Sequence, residues 1–296
     1  MKYQIEIDQL RKNFGEQTAL DGLTLSVPEG SIYGFLGRNG AGKTTTIKML
    51  MGMLRPDSGR ARVFGVSAAD AHRSIEIRQR TGYVTEDKAL FPYMSVGQII
   101  RFTRSFFPRW RDDLEQRYLK MFQLPPDARI PELSTGTRTK VMLLLALCRG
   151  ADLLILDEPT SGLDPAAIEQ VLQELVALAA SEGTTIFFSS HQLSEVEQIA
   201  DHIAIVDAGR TLISGALDDM KARYQRLQVV FEQELLAPVP WVEGVEHVRQ
   251  EGRMVSLLAS GNIEGIVAQA ESLHVTSVER FPVSLKEIFL EHIRSN

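Results

Sequence analysis

The chain has 296 residues, 44% of them hydrophobic, one cysteine, and a net charge of -6 from 32 Lys+Arg against 38 Asp+Glu. That length suits one large α/β domain with a small appendage, and the acidic balance provides no global basic field for nucleic acid or an anionic membrane surface. The longest unbroken apolar stretch, Val141 to Cys148, is far short of the roughly 18 to 20 residues that cross a bilayer, and the single Cys148 excludes an internal disulfide framework and agrees with a reducing cytoplasm.

The N-terminus, Met1-Lys2-Tyr3-Gln4-Ile5-Glu6, has no apolar core and an early acid, so no secretory signal is expected. Apolar runs at 3–10 and 23–27 predict antiparallel strands, and Ser31 to Leu36 predicts the first buried parallel strand, followed by a helix from near Lys43. Gly82-Tyr83-Val84, Leu153 to Leu156, Thr184 to Phe188 and Ile203 to Val206 predict further strands, with helices over 165–181 and 193–201 between them. Strands alternating with helices imply a doubly wound parallel sheet. From about 95 to 150 the pattern is helical only, broken at Pro108, Pro125, Pro126 and Pro131, which predicts an inserted helical subdomain over about 88–150. After Gly215, short strands at 227–231, 245–249 and 254–258 precede helical patterns at 263–273 and 284–293. We therefore expect a large α/β domain over 1–220 and a small α/β domain over 221–296, joined around 216–225.

Between the Ile32–Leu36 run and the helix lies Gly37-Arg38-Asn39-Gly40-Ala41-Gly42-Lys43-Thr44, a complete G-x-x-x-x-G-K-[ST] phosphate loop. Gly37, Gly40 and Gly42 let backbone N–H groups turn inward around a triphosphate at a helix N-terminus whose dipole favours anions. Lys43 supplies a point charge toward the β- and γ-phosphates, and the Thr44 hydroxyl is placed to ligate Mg²⁺. Leu153 to Leu156 ends in adjacent carboxylates that point to different sides of a strand, so Asp157 is suited to Mg²⁺ and Glu158 to an attacking water. Leu133-Ser134-Thr135-Gly136-Thr137-Arg138 precedes an apolar helix and by itself reads as a capped helix start or a second phosphate contact.

In order and spacing these motifs resemble the nucleotide-binding subunit of an ATP-binding cassette (ABC) transporter, over roughly residues 1 to 215. The resemblance implies a P-loop NTPase of ABC type: a parallel-sheet core, an antiparallel β subdomain and an inserted helical subdomain. It implies that Gly37, Asn39, Gly40, Ala41, Gly42, Lys43, Thr44 and Thr45 hold ATP, and that Phe14, which by itself reads equally as core, stacks on adenine. Thr44, Asp157 and Glu86 would face Mg²⁺, and Glu158, His191 and Lys43 would carry hydrolysis. Ser161-Gly162-Leu163-Asp164 resembles the D-loop, Ser189-Ser190-His191 the switch-histidine segment, and 133–138 the signature, with Ser134 and Gly136 kept but Thr135 and Thr137 standing where the family has Gly and Gln. Glu86, in Gly82-Tyr83-Val84-Thr85-Glu86, replaces the family's glutamine, which keeps an oxygen and adds a charge. With the aromatic segments that follow, it looks most like exporter-type subunits whose membrane portion is encoded separately.

In that family the signature serves the nucleotide on the opposite subunit. A second cassette, identical or paralogous, and membrane-spanning permease subunits are therefore expected partners, with no nucleic acid and a place at the inner face of the cell membrane. Leu90 to Met94 and Phe102 to Trp110 either touch the permease or fill the seam between subdomains. The competing function is a soluble ABC ATPase, regulatory or associated with ribosomes or DNA. The paired cassettes, coiled coil or basic surface usual there are not visible.

Overall fold

Tyr3–Phe14 (β1) and Gln17–Pro28 (β2) form one long antiparallel hairpin in which Phe14 pairs with Gln17. The chain then enters Ile32–Gly37 (β3), buried along its whole length, and Lys43–Leu50 (α1). Ser58–Val63 (β4) and the short Val66–Ser67 (β5) return to the hairpin, giving a four-stranded sheet ordered β2-β1-β4-β5. Next come Ser74–Arg80 (α2) and Thr81–Val84 (β6). The helical stretch holds Val96–Arg104 (α3), Asp112–Met121 (α4) and Thr135–Leu147 (α5). Leu153–Asp157 (β7), Pro165–Glu182 (α6), Thr185–Ser190 (β8), Leu193–Ile199 (α7), His202–Asp207 (β9) and Arg210–Ala216 (β10) complete a second sheet, ordered β10-β9-β3-β8-β7-β6.

In that sheet β9, β3, β8, β7 and β6 run parallel, as their continuous apolar sequences require. One core cluster joins Ile5, Leu23 and Val27 of the hairpin to Ile47 and Leu50 of α1 and to Tyr33, Phe35 and Phe187 of the parallel sheet. This packing fixes where α1 starts, and therefore where the phosphate loop lies.

The computed structural model describes residues 2–87, 89–234 and 239–294. Residue 88, the expected start of the helical subdomain, and residues 1 and 296, the expected domain ends, lie outside the described residues. The chain divides into two compact units, Met1–Ser214 and Gly215–Asn296. The stretch read from sequence as a joint is ordered as Leu217–Arg223 (α8), with Leu217 and Met220 buried, so a boundary at 220/221 would cut a helix. The second unit continues with Gln225–Phe231 (β11), Val245–Glu251 (β12), Met254–Ala259 (β13), Ile263–Glu271 (α9), Val275–Pro282 (β14) and Leu285–Arg294 (α10). Its antiparallel sheet, β12-β13-β11-β14, buries Leu227, Val229 and Leu257 against Ile266 and Ala270 of α9.

Candidate functional site

At the end of β3 the backbone turns through a loop that only glycine permits at its last step. Gly42 has φ +100°, and a Cβ there would lie 2.6 Å from Leu20 Cδ2 and 2.7 Å from the Ala19 carbonyl. Gly40 is also left-handed, at φ +84°. The Lys43 side chain folds back over this turn. Its Nζ donates to the Gly37 carbonyl at 2.8 Å and lies 3.6 Å from Glu158 Oε1, with both side chains less than a tenth exposed.

A cavity of about 280 Å³ opens over the loop. It brings together Asn39, Gly40, Gly42, Lys43, Thr44 and Thr45 from the loop and α1, Glu86 from the end of β6, Glu158 from the end of β7, and Phe14 from the end of β1. Phe14 is 49% exposed, which favours a ligand-facing ring over a core one. Gly37 and Ala41 do not line the cavity: Gly37 receives Lys43, and Ala41 is buried with its N–H on the Arg38 carbonyl. Gln17, Ala19 and Arg38 line it as well and were missed from sequence. For Gln17 the available signal was the tight turn that sets it opposite Phe14.

Asp157 is fully buried at the last position of β7. Ser189, on the neighbouring β8, donates to Asp157 Oδ1 at 2.6 Å and accepts from the Glu158 N–H at 3.0 Å, so one hydroxyl holds both acids. Asp157 Oδ2 is buried with no hydrogen-bond partner. Burial pushes the Asp157 carboxyl above the usual range; the Ser189 and Thr44 hydroxyls oppose this, and the charges of Glu86 and Glu158 add to it. Thr44 Oγ1 donates to Glu86 Oε2 at 3.2 Å. A hydroxyl, an orphaned buried carboxylate oxygen and a second carboxylate form an all-oxygen donor set of the hard-cation kind, so these residues fit Mg²⁺.

Glu158 takes a left-handed φ of +50°, an uncommon conformation for a non-glycine residue. There its Oε2 lies 2.7 Å from His191 Nδ1, so Glu158 joins Lys43 on one side to His191 on the other, although His191 does not itself line the cavity. Ser134, Gly136 and Asp164 are elsewhere. Ser134 caps α5, its Oγ accepting from the Thr137 N–H at 3.1 Å and lying 2.8 Å from Thr137 Oγ1. Gly136 packs so closely on the Gly162 carbonyl that a Cβ would meet it at 2.6 Å. Asp164 caps α6 through the Ala167 N–H at 2.9 Å, a bond that lowers its pKa.

A family model described as "ABC transporter" matches residues 20–161. A second, "AAA domain, putative AbiEii toxin, Type IV TA system", matches 126–197. The bacitracin transport ATP-binding protein BcrA of Bacillus licheniformis is 35% identical over 224 residues, 75% of this chain and 72% of that protein. The chain belongs to the family of ABC transporter ATP-binding subunits. The daunorubicin resistance ATP-binding protein DrrA3 of Streptomyces coeruleorubidus is 31% identical over 300 residues, 98% of this chain and 94% of its own length. A solved structure described as the ATP binding subunit of an ABC transporter superimposes with a TM-score of 0.67 at 29% identity, covering 74% of this chain and 92% of that one. As an ABC ATP-binding subunit the chain binds and hydrolyses ATP, which bears out the family, fold and ATPase readings made from its motifs. No helix among the described residues is long and apolar enough to cross a membrane.

Proposed function

We propose that this cassette powers export: two copies, or one copy and a paralogue, close on Mg-ATP and transmit that closure to separately encoded membrane subunits at the inner face of the cell membrane. The observation that carries the reading is the buried Lys43–Glu158 pair, which His191 joins from a half-exposed position, beside Thr44 and Glu86. Asn39, Gly40, Gly42, Lys43 and Thr45 would hold the phosphates, with Gly37 and Ala41 shaping the loop, and Phe14 would stack on adenine. Thr44, Asp157 and Glu86 would hold Mg²⁺, which supplies positive charge to the phosphate oxygens. Glu158 would accept the proton of the attacking water, and His191 would orient the γ-phosphate. Ser134, Gly136 and Asp164, which do not line the cavity of their own chain, would meet the ATP of the second cassette. Bacitracin transport and daunorubicin resistance, in the names of the relatives, favour export over a soluble regulatory, ribosome- or DNA-associated role.

The Mg²⁺ assignment has its own test. Glu86→Gln, which keeps an oxygen, is expected to hold ATPase activity within roughly tenfold, whereas Glu86→Ala should raise the Mg²⁺ concentration needed for half-maximal turnover. A Mg²⁺ titration in which both variants match the wild type would return Glu86 to the solvent.

For the membrane partner, Phe91, Tyr93, Phe102 and Phe106 are exposed in a continuous chain of ring contacts with centroids 5.1 to 5.7 Å apart. Beside them a cavity of about 370 Å³ is lined by Leu90, Ile99, Met142, Leu145 and Arg149. The Arg149 guanidinium donates to the Leu145 and Thr81 carbonyls and lies 4.3 Å from the Phe107 ring centroid, and no carboxylate pairs with it among the described residues. Burial pushes its pKa down to about 10. This surface suits a cytoplasmic segment with apolar side chains and one acid. Phe102→Ser/Phe106→Ser should abolish co-purification with a protein bearing several apolar spans of about 20 residues, while leaving basal ATPase activity intact. Undiminished co-purification would assign the aromatic surface to another role.

A further inference from the structure

We propose that Glu195 is a positioning residue that ties the loop carrying Glu158 to the loop carrying His191; the inference rests on those two residues carrying hydrolysis. Glu195 lies in α7, four residues beyond His191, and is 4% exposed. Its Oε2 takes two hydroxyls at once: Thr160 Oγ1 at 2.7 Å, from the Glu158 loop, and Ser190 Oγ at 3.2 Å, from the His191 loop. Ser190 Oγ also accepts from the Gln192 N–H at 2.9 Å, which fixes the backbone on the far side of the histidine.

Such a tie has a physical task. Glu158 sits at φ +50°, and a non-glycine residue stays in that region only where its surroundings over-determine it. Ser189 restrains the N-terminal side of this residue through the Glu158 N–H. The C-terminal side has Pro159 and then Thr160, which is held by Glu195. With both clamps in place, the Glu158 carboxylate is presented to His191 at 2.7 Å. Without Glu195, Thr160 and Ser190 would be left as buried hydroxyls without their shared acceptor, and the loops would be free to separate.

The other Glu195 oxygen, Oε1, is buried with no partner. A buried carboxylate oxygen without a partner penalises the charged form, as does the nearby charge of Glu158. Burial, ahead of the opposing hydroxyl bonds, raises the Glu195 pKa in the same sense. Glutamine keeps a side-chain oxygen that the Thr160 and Ser190 hydroxyls can share and carries no charge, so it can replace Glu195.

The test uses the purified chain, with ATP affinity and turnover measured separately. Glu195→Ala should lower kcat about 10- to 100-fold, the cost of misplacing a catalytic group by an ångström or less, with ATP affinity changed less than about twofold. Glu195→Gln should restore kcat to within about threefold of wild type. Thr160→Val removes the same tie from the other side, so it should lower kcat in the same way, and adding it to Glu195→Ala should cost little more. A folded Glu195→Ala or Thr160→Val with wild-type kcat overturns the proposal, as does a Glu195→Gln no better than Glu195→Ala. Glu158→Gln measured alongside separates the failures: full turnover there removes the base assignment, whereas loss there with wild-type Glu195→Ala removes only the tie.

Discussion

Glu158→Gln is expected to lower ATP turnover by roughly 10²- to 10⁴-fold while leaving ATP bound. The substitution preserves shape in a site where little else can move: the side chain is 9% exposed, 3.6 Å from Lys43 Nζ through one oxygen and 2.7 Å from His191 Nδ1 through the other. It removes the only feature a proton acceptor needs, its charge. The Lys43 loop is untouched, so ATP should persist on the protein, and if the proposed two-chain arrangement holds, ATP between that loop and the Ser134 cluster of a second chain would hold the two together. Size-exclusion chromatography should show a shift from monomer to dimer with Mg-ATP and none with ADP. Turnover near the wild-type rate would take Glu158 out of the chemistry. An ATP-loaded variant that stays monomeric at high concentration would instead overturn the two-chain mechanism.

Lys43→Met should have the second largest effect, and it acts on binding. A lysine contact to a phosphate is a charge-assisted hydrogen bond of about 1.5 to 3 kcal/mol, so ATP affinity should fall roughly 10- to 100-fold. In the absence of nucleotide the same ammonium neutralises Glu158, whose side chain is nearly as buried as its own. Removing it leaves a buried carboxylate facing His191 alone, and the melting temperature should fall. Adding Glu158→Gln to Lys43→Met should recover part of that loss, because two neutral groups replace an uncompensated charge. Calorimetric titration with ATP and a thermal melt of the three variants check both parts. ATP affinity within about twofold of wild type would rule out the phosphate role. A double variant that melts as the sum of the singles would rule out the pairing.

Much of this protein is legible residue by residue. The phosphate loop, the acid pair ending an apolar strand and the segment around His191 are local patterns in which chemistry and spacing occur together. The parallel strands are equally plain, since burial on both faces demands apolar runs such as Leu153–Leu156 and Ile186–Phe188. Elements with weaker patterns escaped. Ser58–Val63 reads Ser-Gly-Arg-Ala-Arg-Val and becomes a strand because β1 offers it an edge. Val275–Pro282 is likewise drawn into its sheet by pairing with β11 despite Glu279 and Arg280.

The chemical capacities of this cassette are local: whether a side chain is able to take a phosphate, a cation or a proton belongs to the residue and its nearest neighbours, and so can be read along the chain. Which of them meet depends on packing. Ser189 reaches across to Asp157 and Glu158 because β7 and β8 are paired in register, Asp157 opposite Ser189. Glu195 reaches Thr160 and Ser190 because α7 turns back over both strand ends. The Ser134 cluster packs on the 161–164 loop and away from the cavity its own chain forms. Apart from Glu195–Ser190, five positions apart, these contacts join residues about 26 to 35 positions apart, which only the packed sheet and helices bring together.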